Sequence, residues 1–114
     1  MAVQAKPRAL LTPDQQTRIA EALSPQVVLD RAGSDLKRLS DMTEIDEVDV
    51  ITDMIDGTAT CAKGIFNVYV VLKYQKPKVF ESYDSFPGSF TARIDPGGAV
   101  VFDEVKVDTS AFYA

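Results

Sequence analysis

A chain of 114 residues is the size of one domain, and its 46% apolar and 25% charged content excludes a wholly disordered polypeptide. The longest unbroken apolar run, Val68–Leu72, falls far short of the roughly 20 residues that span a bilayer as a helix. A net charge of −5 makes nucleic acid a poor ligand, because binding its phosphate backbone requires a basic surface.

Residues 1–11 show no clear period and read as an N-terminal arm, with 12–114 as a single α+β domain. The opening MAVQAKPRALL lacks the apolar centre of a secretory signal. Cys61 is the single cysteine and fits a reducing compartment, so the expected location is the cytoplasm or a particle assembled there. Thr12 is placed to cap a helix, with Pro13 at its first position, Asp14 favouring its dipole and Gln15 at capping-box spacing. Ser24-Pro25 repeats the signal and predicts a second helix to about Ala32, stopped by Gly33. Ser34 is placed to cap a further turn carrying Leu36 and Leu39.

Between Asp41 and Asp56 lie seven acids and no base, so this segment carries more negative charge than the whole chain's net −5. Read as a helix, it places Val50, Ile51, Met54 and Ile55 on one arc and Asp46, Asp49, Asp53 and Asp56 on the other, with Gly57 as the cap. Read as a strand, it places Val48, Val50, Thr52 and Met54 on one face, which its β-branched residues favour. The aspartates tip the reading to helix, so the helical part is expected to cover 12–56.

From residue 58 to 108 the pattern is β. Phe66, Val68, Val70, Leu72 and Tyr74 alternate without a break, and Thr58–Ala62 extends that strand with a bulge near Gly64. KVFESY forms a short strand. SFTARID and AVVFDEVKV flank Pro96-Gly97-Gly98 as a hairpin, for which a type II turn is expected. Helices packed on an antiparallel meander of three to four strands, followed by a tail at 109–114, define an α+β layer fold. That outline is similar to cystatin-like and other small α+β domains, and fold does not imply function.

Histidine is absent, which removes the commonest general base, the Ser-His and Cys-His pairs and most catalytic zinc sites. Gly97-Gly98 sits in a hairpin turn rather than a phosphate loop, and PGSF is not a nucleophile elbow. A helix would splay the four aspartates too widely for one ion. No cofactor or metal is therefore expected.

The expected function is non-enzymatic: a structural or interaction protein docking through the acidic segment 41–56 in an oligomer or larger assembly. A phage or particle component and a small acidic inhibitor are two instances. The candidate contact residues are Asp46, Asp49, Asp53 and Asp56, the basic turn Lys73, Lys76 and Lys78, Phe86 in a Pro-Gly loop, and Phe112 and Tyr113 near the C-terminus. The lysines are positioned to neutralise the acids within the monomer or in a neighbouring copy. The alternative is a small-ligand pocket, possibly a histidine-independent enzyme, lined by Tyr69, Tyr74, Tyr83 and a carboxylate.

Overall fold

The structure is a computed structural model that describes residues 10–75 and 78–113, the side chain of Tyr113 excepted. Capping fixes where its helices begin. Thr12 Oγ1 accepts from the Gln15 N–H at 3.2 Å, and Gln15 Oε1 accepts from the Thr12 N–H at 3.0 Å, opening α1, Pro13–Ala22. Ser24 Oγ accepts from the Val27 N–H at 3.2 Å and opens α2, Pro25–Lys37. Gly33 does not stop α2. A mid-helix glycine costs about 0.5–1 kcal/mol. The extra turn buries Leu36 completely, and burying a leucine stabilises by about 1.5–3 kcal/mol.

The remaining elements are strands β1 (Met42–Val50), β2 (Asp56–Thr58), β3 (Cys61–Tyr74), β4 (Phe80–Ile94) and β5 (Val100–Val107). They form one antiparallel sheet in the order β1-β3-β4-β5, with β2 beside β3 in line with β1. The fold is α+β, but with five strands rather than three or four. The helical part ends at Lys37, and the acidic segment expected to be helical is β1, a 3-10 turn at Thr52–Met54, and β2. The helix fails for an electrostatic reason. It would stack like charges at i+3 and i+4, where each pair is repulsive. The extended chain spreads them out while turning Ile45, Val48 and Val50 toward the core. A bulge at Asp46, between Ile45 and Glu47, absorbs the break in alternation that made the strand hard to see.

Both helices cover one face of the sheet. Ile19, Val28 and Leu36 from the helices meet Phe66, Val68, Val70 and Leu72 of β3 and Phe86, Phe90 and Ala92 of β4, all buried. Gly64 is not a bulge, because β3 and β4 pair without a shift from Ala62–Ala92 to Tyr74–Phe80. Instead, two reciprocal pairs lock the strands. Gly64 lies opposite Phe90, and Phe66 lies opposite Gly88. Each phenylalanine folds its ring over the facing glycine, and the two rings lie 6.4 Å apart.

Pro87 does not divide β4 into two strands as the sequence suggests. The Pro87 carbonyl accepts from the Asp108 N–H just beyond the end of β5, so the donor that proline lacks would face a side where pairing has already stopped. In the β4–β5 hairpin, the Gly98 N–H donates to the Asp95 carbonyl at 2.8 Å. The positive φ falls on Gly98, at +90°, and not on Gly97. The connection is thus a type I turn followed by a left-handed glycine, in place of the expected type II turn.

A Cβ at Gly64 would lie 2.4 Å from the Phe90 ring, and one at Gly88 would lie 2.3 Å from the Phe66 ring. Gly64→Ala and Gly88→Ala are each expected to lower stability in urea unfolding by about 2–3 kcal/mol, through overpacking. Gly97→Ala, whose Cβ meets only Asp95 Oδ1 at 3.4 Å, changes it by less than about 1 kcal/mol.

Candidate docking surface

Side chains alternate across a sheet, so the residues that do not face the helices form a second, uncovered face. On β3 these are Cys61, Lys63, Ile65, Asn67, Tyr69, Val71 and Lys73. The register sets Glu44 beside Val71, Glu47 beside Tyr69 and Asp49 beside Asn67. On the other side of β3, Tyr83 pairs with Val71 and Glu81 with Lys73. An acidic column on β1 therefore runs alongside an apolar column on β3. Ile65 is 43% exposed, Tyr69 39% and Tyr83 73%.

One lysine partly neutralises this face. Lys73 Nζ lies 3.0 Å from Glu44 and 4.0 Å from Glu81. Its hydrogen bond to Glu44, the largest influence, raises its pKa above the usual lysine value, and the charges of Glu44 and Glu81 act in the same direction. Asp46, Glu47, Asp49, Asp53 and Asp56 have no ion-pair partner among the described residues.

The four aspartates do not share an arc. Asp46 is the bulge residue of β1, Asp49 faces outward from β1, Asp53 lies in the 3-10 turn, and Asp56 in β2 stands opposite Lys63. From the level of Val70 to that of Lys63 is seven strand residues, or about 23 Å at ~3.3 Å each. No group of three or more His, Cys, Asp or Glu side chains converges among the described residues.

The other predicted contacts separate as well. Lys78 is exposed, and Lys76 lies outside the described residues. Phe86 is not presented on a loop. It is 2% exposed, an inward residue of β4 with the Phe112 ring edge-on at 6.2 Å. Alternation along the strand settles this, because Phe86, Gly88, Phe90 and Ala92 share the core face. Phe112 is half-buried in the 3-10 turn Ser110–Tyr113, where it closes over Phe86 and is not a free contact. Tyr113 belongs to the same turn. The tyrosines proposed for a pocket do not converge. Tyr69 and Tyr83 face outward, whereas Tyr74 stacks on Phe80 at 4.8 Å and donates to the Leu39 carbonyl at 3.0 Å.

One local pattern went unrecognised in the sequence. Ile45-Asp46-Glu47-Val48 in β1 and Phe102-Asp103-Glu104-Val105 in β5 are the same device: an apolar residue, two acids, then valine. In β5 too the register skips one residue, Asp103, between Phe102 and Glu104. The two strands are the opposite edges of the sheet, and each bulge keeps the flanking apolar residues pointing inward. A doublet of acids interrupting a period-two apolar pattern was the available signal.

The β5 bulge is satisfied within the chain. Arg31 of α2 donates to the carbonyls of Phe102 and Asp103 at 2.7 and 3.0 Å, and Arg93 donates to Asp103 Oδ1 at 3.2 Å. The β1 bulge has no such arginine among the described residues. Beside it, an open hollow of about 360 Å³ is lined by Pro25, Gln26 and Leu29 of α2 and Thr43, Glu44 and Ile45 of β1. Comparison with known proteins matches no family model, no curated protein and no solved structure.

The turn over Phe86 carries a pH signature. Asp108 Oδ1 accepts from the Ser110 N–H at 2.9 Å. Hydrogen bonds from the Ser110 side chain and backbone lower its pKa below the usual carboxylate value. A depressed pKa contributes stability above the unfolded-state value and loses it as pH falls through the folded-state value. Hydrogen exchange of the Ser110 and Phe112 amides, corrected for intrinsic rates, is expected to lose protection on acidification through the carboxylate range. Asp108→Asn is expected to flatten that dependence.

Proposed function

We propose that the protein is a non-enzymatic docking module, which uses the acidic strand β1 and the neighbouring open sheet face to bind a basic, partly apolar protein surface within an oligomer or larger assembly. The observation that carries this reading is the uncompensated acidic column on an uncovered face. Glu44 alone of the β1 carboxylates is paired, and the residues beside the column are valine and tyrosine. Like-charge neighbours cost folding energy, whereas a complementary surface converts them into steering and specificity.

Chemistry is a poorer account of the same residues. With no histidine in the sequence, proton transfer would rest on carboxylates, lysines or tyrosines. The outward tyrosines lie on an open face rather than in an enclosed site. A particle component assembled in the cytoplasm and an acidic inhibitor of a basic protein are both forms of this reading.

Light scattering at low and high salt tests it. Association is expected at about 50 mM salt and to weaken at about 500 mM, where screening shortens to a few ångströms. Glu47→Lys with Asp49→Lys is expected to abolish association while leaving the unfolding midpoint nearly unchanged. A salt-indifferent monomer contradicts the proposal.

A further inference from the structure

The two edge bulges are chemically alike but differently satisfied, and the difference defines a vacant arginine position. At β5 an arginine fork reaches two adjacent bulge carbonyls, and a second arginine neutralises the aspartate. At β1 the corresponding groups are the carbonyls of Ile45 and Asp46 and the Asp46 carboxylate. No side chain among the described residues bonds them. The hollow between α2 and β1 leaves the approach open. A guanidinium is the group best matched to paired carbonyls beside a carboxylate, because its donors form a rigid planar fork.

The other arginines of the domain are mostly engaged. Arg18 bonds the Gly98 carbonyl, Arg31 the β5 bulge and Arg93 Asp103. The segment 1–9 supplies Lys6 and Arg8 with no acid, and from Ala2 to Ala9 its polar residues Gln4, Lys6 and Arg8 occupy alternate positions. That spacing suits an added strand that presents its basic residues on one face.

The direction of entry points away from the chain's own β1. Leu10 pairs antiparallel with Thr58, and the Leu11 N–H donates to the Gly57 carbonyl at 3.3 Å. The chain therefore reaches Leu10 from the side of the β2–β3 turn, whereas β1 lies in the opposite direction along the same edge. Nine extended residues reach about 30 Å, enough to meet a second molecule.

Resting on the docking reading above, we propose that residues 1–9 of a second copy dock along the β1 edge, with Arg8 taking at the Asp46 bulge the place that Arg31 and Arg93 take at β5. The association is between like chains, arm to edge, and the contact is charge-assisted.

Sedimentation equilibrium on the full chain and on two charge-reversed variants, Arg8→Asp and Asp46→Arg, provides the test, with circular dichroism confirming that each is folded. Each variant alone is expected to self-associate at least about tenfold more weakly, the effect of losing hydrogen bonds to charged groups. Mixed in equal amounts, the two are expected to recover a heterodimer, because one retains the arm and the other the edge. If Arg8→Asp self-associates as tightly as the unmodified chain while Glu47→Lys with Asp49→Lys does not, the arm is overturned and the acidic docking surface stands. If no variant alters association, or the unmodified chain is monomeric throughout, the docking surface fails as well. Weak variants that do not complement each other when mixed also overturn the arm-to-edge pairing.

Discussion

Two phenylalanine rings lying over two glycines hold the β3–β4 hairpin in place, and the rest of the architecture follows from that contact. Phe66 over Gly88 and Phe90 over Gly64 fix the register at the middle of two strands of 14 and 15 residues. A register slip of one residue would turn every side chain to the wrong face. The locked register directs Phe66, Val68, Val70 and Leu72 toward α1 and α2 and commits one face wholly to the core. The other face has no layer of this chain above it, so Ile65, Tyr69 and Tyr83 remain exposed beside the acids of β1.

The edges are handled by a second device. A sheet edge presents unpaired backbone groups, and bulges and charges are common protections against indiscriminate pairing. Both edge strands carry an Asp-Glu bulge, yet only β5 has its bulge carbonyls bonded by an arginine of the same domain. An edge that is charged, kinked and unsatisfied discourages neutral strands and self-pairing with another acidic edge. It favours a basic partner, which is specificity gained through repulsion as well as attraction.

Much of the fold was legible in the sequence where local chemistry and tertiary demand agreed. Thr12, Gln15, Ser24 and Pro25 announced the helix starts through capping alone, and the β3 alternation announced its buried face. The acidic segment was misread because a bulge shifts its inward residues from Ile45 to Val48, and a shifted period of two resembles a period near three and a half. Pro87-Gly88 was misread as a loop because proline's fitness for β4 depends on where β5 ends, a fact of pairing that no local window contains. Phe86 was assigned to a contact for the same reason. The charge of the candidate surface was plain from composition, but its shape as one edge strand beside an apolar column required the register.

The central claim is that the β1 edge is a docking edge, and backbone hydrogen exchange at β1 tests it most directly. Amides of Glu47–Val50 measured at micromolar and near-millimolar protein are expected to gain protection with concentration and lose it again with added salt. The β3–β4 amides, already paired inside the domain, are expected to stay constant throughout. Exchange at β1 that is independent of both concentration and salt would contradict the account.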